Sequence, residues 1–333
     1  MTELHVHLDG SIRPGTVYEL ARRQGVDTGI PDLYRMPKKD AIDALSKKMT
    51  ALPSGQDLND YLECFRLPLA VLQEEDAIER AVTELGEDLL KDGVTTAEIR
   101  FAPLSCCTKG LAPKDVIRAA ERGARTAMRL NPGLTLSLII CCMRGQEEQP
   151  FLESAREDLT GPEVNFRLVD LVAELKNDVV KAMDLAGAEA LYPTEKYLPL
   201  FRYIREKGIP FTVHAGEADG ARSVRAAIDA GVTRIGHGVR VIENRLLAQT
   251  LAVKKITLEC CLLSNFQTRV FMNKEDHPIK QLFDMGVRVT LNTDNRTVSG
   301  TSMQKEIETA QRLFGFTDAD IRKMQEYAEE ALF

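Results

Sequence analysis

Eight short β-rich segments recur along the chain, and stretches with helical periodicity separate most of them. The segments are Glu3–His7, Thr95–Pro103, Thr135–Cys142, Val179–Leu185, Pro210–His214, Arg234–Gly238, Lys255–Cys260 and Val287–Thr293. Strands that alternate with helices form parallel sheets, because each helix returns the chain to the edge where the previous strand began. Eight such units favour a sheet that closes on itself, so the sequence predicts an α/β protein with a (β/α)8 TIM barrel.

The length of the chain fits a barrel with one addition. A barrel of this type takes about 250 residues, and the chain has 333. The interval between the first two predicted strands is much longer than the others and contains helical patterns, including one over Leu58–Gln73. We therefore expect a single domain over residues 1–333 with a helical insertion at about 10–92. An insertion here lies on the catalytic face, where it either forms a lid over the site or packs against the rim.

Composition argues against several functions and kinds of site. The net charge is −7 and no run of Lys and Arg carries interleaved aromatic residues, which disfavours nucleic acid as a partner. The apolar runs are too short to span a membrane and the first residues do not resemble a signal peptide, so we expect a cytoplasmic protein without membrane contact. Seven cysteines, with no Cys-x-x-Cys spacing, disfavour disulfides and cysteine-rich zinc sites. Histidine and carboxylate ligands are left for any metal.

Four of the five histidines lie at or near the carboxyl ends of predicted strands, where barrel enzymes assemble their active sites. They are His5, His7, His214 and His237. His5 and His7 are two residues apart on a strand, so both imidazoles face the barrel mouth and suit a metal such as zinc. An isolated His-x-His is more often a pair of hydrogen-bonded polar residues. Asp294, after the eighth strand, changes that balance, because three imidazoles and a carboxylate form a catalytic metal site with one position open for water.

Two more residues near strand ends suit proton transfer. Glu217 follows His214 by three residues across a glycine-containing turn, and a carboxyl group with a raised pKa donates a proton at neutral pH. His237 lies between two glycines, which leave its imidazole uncrowded. Each has a plain alternative when taken alone, since a single Glu is commonly a solvated loop residue and a single His is commonly structural.

Six ordered motifs resemble those of the adenosine deaminase family of metal-dependent amidohydrolases, and the resemblance runs nearly from end to end. The motifs are Glu3–Ser11, Asp184–Gly187, His214–Glu217, Arg234–Gly238, Ser264–Asn265 and Asn292–Asp294. The resemblance implies a (β/α)8 barrel and one zinc ion per chain. It also implies hydrolytic removal of the 6-amino group of adenosine or 2′-deoxyadenosine, a purine salvage reaction that gives inosine or 2′-deoxyinosine and ammonia.

The resemblance further implies roles for individual residues. The implied zinc ligands are His5, His7, His214 and Asp294. Glu217 would protonate purine N1, while His237 and Asp294 would orient the attacking water and help to remove its proton. The implied substrate contacts are Asp9 with the ribose 5′-hydroxyl, Gly187 with purine N3, Asn295 with purine N7, and His7. A carboxylate at position 9 would repel a 5′-phosphate, so a purine nucleoside is favoured as the small-molecule partner.

Two positions depart from the family pattern. Asn295 stands where many members have Asp, and its amide can donate to purine N7 directly. Ala188 replaces an acidic residue, which puts one loop hydrogen bond in doubt. Two alternatives to adenosine deamination stay open at this point. One is the same hydrolysis on a related 6-aminopurine, such as adenine or a 5′-modified adenosine, and the other is a catalytically silent barrel that binds purine nucleosides or metal.

Overall fold

The computed structural model describes residues 1–56, 58–148 and 161–333, and it contains all eight predicted strands. They are β1 (Thr2–His7), β2 (Thr96–Phe101), β3 (Thr135–Met143), β4 (Val180–Ala186), β5 (His214–Ala215), β6 (Arg234–His237), β7 (Thr257–Cys260) and β8 (Arg288–Leu291). Strand β3 shows why these segments form a barrel, because it is buried from Leu136 to Cys142, as a parallel strand covered on both faces must be.

The strands form one closed ring. Parallel pairing runs in the orders β1-β2-β3-β4 and β5-β6-β7-β8. Isolated parallel bridges join the two halves, one between Met183 and Phe211 and one between Val6 and Asp294. The second bridge ties the first strand to the chain just after the last strand. This closure, with helices between the strands, confirms the predicted (β/α)8 barrel.

Strand β5 is shorter than the sequence predicted, because regular pairing covers only His214 and Ala215. The predicted segment begins at Pro210, which has no N–H to donate to a neighbouring strand. The backbone still follows β4, since Pro210 O accepts from Met183 N at 3.0 Å and Thr212 N donates to Met183 O at 3.0 Å. The ring therefore continues through this segment and delivers His214 to the barrel mouth.

Fourteen α-helices occur in the described parts of the chain. They are α1 (Pro14–Gln24), α2 (Lys38–Met49), α3 (Leu58–Glu63), α4 (Arg66–Val71), α5 (Glu75–Lys91), α6 (Pro113–Leu130), α7 (Val164–Leu175), α8 (Leu198–Glu206), α9 (Ala221–Ala230), α10 (Arg245–Lys254), α11 (Leu262–Gln267), α12 (Ile279–Asp284), α13 (Met303–Phe314) and α14 (Asp318–Glu330). The first five lie between β1 and β2, where the sequence predicted a helical insertion. None of the described helices combines the length and the apolarity needed to cross a bilayer.

The prediction of one helix over Leu58–Gln73 is wrong, because two helices, α3 and α4, occupy that segment. Pro68 lies in the first turn of α4. If the two helices were continuous, its ring would clash with the carbonyl oxygen of Cys64, and its nitrogen would donate no hydrogen bond. The resulting bend separates α3 from α4, and residues of both helices face the mouth of the barrel.

The barrel interior contains a layer of buried charges. Arg100 lies between two carboxylates, with Nη1 at 3.0 Å from Asp184 Oδ2 and Nη2 at 2.8 Å from Glu259 Oε2. Arg234 contacts Glu98 and also lies 2.7 Å from Glu259 Oε1 through Nε. Removing these side chains from water is costly, and several opposite charges around each arginine offset that cost. Asp184 and Glu259 thereby become fixed carboxylates directly beneath the histidines.

Candidate active site

A cavity of about 290 Å³ opens at the carboxyl ends of the strands. Its wall brings together almost every residue that the sequence singled out, namely His7, Asp9, Gly187, His214, Glu217, His237, Asp294 and Asn295. His5 lies behind this wall and is fully buried. Side chains of Tyr61, Phe65 and Leu69 from the α3–α4 region line the same cavity. The predicted site residues therefore converge on one place.

Three imidazole nitrogens and one carboxylate oxygen meet at the base of the cavity. The Nε2 atom of His7 lies 3.3 Å from His5 Nε2 and 3.2 Å from His214 Nε2. Asp294 Oδ1 lies 3.5 Å from the Nε2 atoms of both His5 and His7. Ligand atoms at about 2.0–2.1 Å from a tetrahedral zinc ion are about 3.3 Å apart. The observed separations fit that geometry.

The tautomers of two of these imidazoles also fit a cation. His5 Nδ1 lies 2.9 Å from Glu259 Oε2, and His214 Nδ1 lies 2.8 Å from Asp184 Oδ2. A carboxylate accepts hydrogen bonds, so each Nδ1 carries the proton and each Nε2 presents a lone pair. Lone pairs aimed at one point repel one another unless a positive ion lies between them. The donor set therefore suits a divalent metal.

Other potential ligands within the described residues belong to the same centre. His5 and His214 also group with His237, while His5 and Asp294 group with Cys261, the ligand atoms in each set lying within 4.8 Å of one another. The thiol of Cys261 donates to Glu259 O at 3.5 Å, so its hydrogen bond points away from the imidazoles. In the set with His7, the contacts of His7 and Asp294 measure 3.2–3.5 Å, and His7, His214 and Asp294 line the cavity.

Backbone hydrogen bonds hold the base of the site together. His7 N donates to Asp294 O at 2.7 Å, and Asp294 N donates to His5 O at 2.8 Å. Asp294 and His237 have positive φ values of 56° and 60°. Such a conformation is uncommon outside glycine, and surrounding contacts must maintain it. The closed barrel supplies those contacts and aims both side chains into the mouth.

Glu217 occupies a loop that a second glutamate organises. The carboxylate of Glu189 accepts hydrogen bonds from four consecutive backbone N–H groups, at 2.6–3.0 Å, over residues 216–219. Gly216 has φ of 73°, and a Cβ there would lie 2.4 Å from Val224 Cγ2. The turn therefore requires glycine, and it points Glu217 into the cavity. Burial, with the negative charge of Asp294, raises the pKa of Glu217 to about 8.

Polar side chains from α11 and the loop after it contact both Glu217 and His237. Asn265 Nδ2 lies 3.4 Å from Glu217 Oε1 and 3.0 Å from His237 Nδ1. Thr268 Oγ1 lies 3.2 Å from the same Glu217 oxygen, and His237 Nε2 lies 3.4 Å from Glu217 Oε2. Burial lowers the pKa of His237, which keeps the ring neutral. Asp294 Oδ2 accepts from Ser264 Oγ at 2.5 Å, which fixes the other carboxylate oxygen toward the imidazoles.

The remaining predicted contacts lie around the side of the cavity. Asn295 Nδ2 donates to Tyr61 Oη at 3.1 Å, and a Cβ on Gly10 would lie 1.9 Å from Asn295 Oδ1. Only glycine at position 10 allows this approach. Asp9 lies on the cavity wall although β1 ends at His7, and its Oδ1 is buried without a hydrogen-bond partner among the described residues. Burial raises the pKa of Asp9 to about 6, which leaves it mainly ionised at neutral pH.

Comparison with known proteins assigns this arrangement to a family. The sequence pattern of the family described as adenosine deaminase matches residues 1–333. The chain belongs to the adenosine deaminase family. It is 39% identical to the adenosine deaminase of Haemophilus ducreyi, over 91% of this chain and 83% of that protein. It is 35% identical to adenosine deaminase 1 of Streptomyces coelicolor, over 99% of this chain and 81% of that one. The family predicted from the sequence motifs is thus confirmed.

Solved structures confirm the fold of this adenosine deaminase family member. The adenine deaminase of Arthrobacter aurescens superposes with a TM-score of 0.86 at 24% identity, covering 100% of this chain and 93% of that one. An amidohydrolase from Burkholderia ambifaria with bound zinc gives 0.83 at 24% identity, covering 99% and 85%. At these identities the likeness shows the shared barrel. The family and the donor set together indicate a divalent metal.

Sequence reasoning missed several residues that support the site in this adenosine deaminase family member. Glu259 lies mid-strand, and no feature of the sequence separates it from the other buried charges. Glu189 follows the Asp184–Gly187 motif by two residues, so its proximity to that motif was an available signal. Thr268 and Tyr61 lie on elements whose approach to the cavity only the folded chain reveals. Asn265 was part of a motif, but its contacts could not be read from it.

Proposed function

We propose that this chain catalyses hydrolytic deamination of adenosine and 2′-deoxyadenosine to inosine and 2′-deoxyinosine, with release of ammonia. The observation that carries the proposal is the convergence of three imidazole Nε2 atoms and Asp294 in one cavity with a carboxyl group of raised pKa, Glu217. Such a set provides both an activated water and a proton donor, which hydrolysis at an aromatic carbon requires. A silent binding protein has no need of both.

We propose one zinc ion per chain, held by His5, His7, His214 and Asp294. The chemistry that a zinc ion would supply there is a lowered pKa of a nearby water molecule, toward 7, which would make hydroxide available near neutral pH. Glu259 and Asp184 contribute by holding the Nδ1 protons of His5 and His214, which keeps the ligating nitrogens free and correctly oriented. The charged layer that contains Arg100 fixes both carboxylates in turn.

Glu217 acts as the general acid. Its pKa of about 8 keeps the carboxyl group protonated at neutral pH. Asn265 Nδ2 and Thr268 Oγ1 both approach Oε1, which favours Oε2 as the oxygen that carries the proton. Transfer of that proton to purine N1 makes C6 more electrophilic at the moment when water oxygen attacks it. After addition at C6, the 6-amino group leaves as ammonia with the proton that Asp294 took from the water, and the remaining hydroxyl proton returns to Glu217 as the C6 carbonyl forms.

Asp294 acts as the general base, and His237 lines the same cavity, where it would contact the same reacting oxygen. Burial raises the pKa of Asp294, but positive charge at the adjoining imidazoles, or on a zinc ion bound among them, holds that pKa well below the usual range. It is therefore ionised and able to accept a hydrogen bond or a proton from the attacking water. Ser264 orients the carboxylate through its second oxygen.

Substrate recognition rests on Asp9, Gly187, Asn295 and His7. Asp9 presents a carboxylate with an unpartnered oxygen, which suits the ribose 5′-hydroxyl as a donor and disfavours a 5′-phosphate. A structural neighbour from arabidopsis was solved in complex with IMP, so related barrels accommodate purines. In a bound purine, the backbone of Gly187 would contact N3 and the amide of Asn295 would contact N7, and the imidazole of His7, which lies on the cavity wall, would lie beside the ring.

We also propose that residues 1–333 form one domain in which the insertion at about 10–92 provides a lid. Support comes from Tyr61, Phe65 and Leu69, whose side chains line the cavity together with the barrel residues. An apolar cover over the purine would exclude bulk water and strengthen the electrostatic interactions of Glu217 and Asp294.

The test is an ultraviolet assay of the purified, metal-analysed protein with adenosine, 2′-deoxyadenosine, adenine and a 5′-modified adenosine. The absorbance change reports replacement of the 6-amino group by oxygen. We expect turnover of the two nucleosides, loss of turnover after treatment with a chelator, and recovery with zinc. Bound zinc without turnover of any adenine nucleoside would refute the proposal, and faster turnover of adenine would redirect it to the free base.

A further inference from the structure

Three buried side chains form a row that leads from the outer wall of the site to the reacting centre. His277 Nε2 lies 3.2 Å from Asn265 Oδ1, and Asn265 Nδ2 lies 3.0 Å from His237 Nδ1. All three side chains are at most 5% exposed. Because each contact needs one donor and one acceptor, the direction of the hydrogen bonds along this row decides which nitrogen of His237 carries a proton.

The direction is set at the outer end of the row by a backbone group. Ile279 N donates to His277 Nδ1 at 3.2 Å, and a backbone N–H can only donate. His277 Nδ1 is therefore an acceptor. Burial lowers the pKa of His277 to about 3, so the ring is neutral and its single proton resides on Nε2. Phe271 and Phe314 pack against this ring and offer it no charge.

The side-chain amide of Asn265 then determines the direction of the next hydrogen bond, to His237. The Nε2–H group of His277 requires an acceptor, which is the carbonyl oxygen of Asn265. With Oδ1 turned toward His277, the NH₂ group of Asn265 must face His237 Nδ1. Two donors cannot face each other at 3.0 Å, so His237 Nδ1 is unprotonated. The proton of the neutral His237 ring is left on Nε2, the nitrogen that points into the cavity.

We infer that Asn265, oriented by His277, is a positioning residue that holds His237 as its Nε2–H tautomer. His237 then presents a hydrogen-bond donor to the reacting oxygen and cannot take a proton from it. The inference rests on the proposed function. It assigns separate roles to His237 and Asp294, to which the family resemblance gave one role jointly. Asp294 alone accepts the proton of the water, and His237 stabilises the negative charge that develops on the oxygen.

The same amide acts on Glu217. Its second Nδ2 hydrogen faces Glu217 Oε1 at 3.4 Å, whereas His237 Nε2–H faces Oε2 at 3.4 Å. Because His237 Nε2 carries a proton, it offers no lone pair to Glu217, and the proton on Oε2 cannot pass to the imidazole. The proton remains available for purine N1. Asn265 thus prevents Glu217 from losing its proton to the neighbouring His237.

The test is ¹⁵N NMR of the zinc-loaded protein labelled at histidine, because protonated and unprotonated imidazole nitrogens resonate in well-separated regions. A spectrum of the His237→Asn variant identifies the His237 resonances. We expect unprotonated Nδ1 and protonated Nε2 for both His237 and His277. A His237 ring protonated on Nδ1, or on both nitrogens, would overturn the inference. This wild-type measurement stands whether or not any variant folds.

The Asn265→Asp variant tests the cause. A carboxylate accepts at both oxygens, so it should accept from His277 and also draw the proton of His237 to Nδ1. We expect that tautomer change, together with a kcat about 10–100-fold lower at unchanged zinc content and with little change in KM. Asn273→Asp is the matched control, because Asn273 is exposed and contacts Asp276. It should change neither the tautomer nor the rate.

The two possible failures give different results. An unchanged His237 tautomer in Asn265→Asp would contradict the positioning role even if the wild-type enzyme deaminates adenosine rapidly. An Nε2–H tautomer that switches as expected would support the role of Asn265 even if adenosine proves not to be the substrate. The first result rejects the inference, and the second leaves it standing while the proposed function falls.

Discussion

Glu217 makes the chain less stable than it would be with a neutral side chain at that position. Its pKa rises from 4.5 to about 8 in the folded protein. At pH 7 folding therefore takes up close to one proton, because the same group is ionised in the unfolded chain. With about 1.4 kcal/mol for each pKa unit, this lowers the free energy of unfolding by up to about 3 kcal/mol. The side chain is 20% exposed, and screening by solvent reduces the effect to about 1–2 kcal/mol.

Replacing Glu217 with Gln removes this proton uptake while keeping the shape of the side chain. We expect the free energy of unfolding to rise by about 1–2 kcal/mol at pH 7, while kcat falls by about 10²–10⁴-fold because an amide cannot protonate N1. The stability that the protonated Glu217 provides is fully present below pH 4.5 and is lost as the pH rises through about 8. The advantage of Glu217→Gln should therefore be small at pH 5 and largest near pH 8.

Urea unfolding followed by circular dichroism at pH 5, 7 and 8 measures this difference. The measurement is made on chelator-treated and on zinc-loaded protein, and the gain should be smaller with zinc because a positive ion lowers the pKa of a nearby carboxyl group. Glu275→Gln, at an exposed position, is the matched control and should change stability little at any pH. If Glu217→Gln is less stable than the parent at pH 8, or gains equally at pH 5, the burial argument for Glu217 is wrong.

Three further predictions concern the reaction, the metal and the substrate. In the parent enzyme, kcat should fall about tenfold per pH unit once the pH exceeds the pKa of Glu217, which is about 8 without metal. Ultraviolet assays in a series of buffers measure this profile, and a kcat that stays constant up to pH 10 would exclude Glu217 as the acid. Asp184→Asn should weaken zinc binding about 10–100-fold, because His214 loses the carboxylate that lies 2.8 Å from its Nδ1. Competition with a chromophoric chelator measures the affinity, and an unchanged affinity would show that Asp184 does not support His214 as a ligand. Asp9→Ala should raise KM for adenosine about 10–100-fold with little change in kcat, and an equal effect on adenine, which has no ribose, would exclude the proposed contact.

The sequence was sufficient to predict the barrel and the residues that meet in its mouth. His5 and His7 lie two residues apart in a strand, and the period of a strand alone places both on one face. His214, His237 and Asp294 follow strand ends, and closure of a parallel barrel brings all such ends to the same side. These predictions needed only local periodicity and the topology of the fold. The structure places His7, His214, His237 and Asp294 around one cavity, with His5 behind its wall.

The supporting contacts could not be predicted, because they depend on side-chain packing between distant segments. Glu259 contacts His5 from across the barrel interior, and Glu189 contacts the loop of Glu217 from the end of a neighbouring strand. Many buried carboxylates in this sequence would have fitted either role equally well. The break between α3 and α4 could have been predicted from Pro68, because proline disfavours a continuous helix. The helical periodicity of the flanking residues nevertheless favoured one helix.

The bridge between Val6 and Asp294 joins the first strand to the end of the barrel, so it determines how early in synthesis a metal can bind. A ribosome releases the residues around His5 first, and Asp294 emerges only after nearly all of the barrel has been made. Until then His5 and His7 lack Asp294, one of the four proposed metal ligands. A divalent metal held by all four proposed ligands can therefore bind only after Asp294 has emerged and the two ends of the barrel have met.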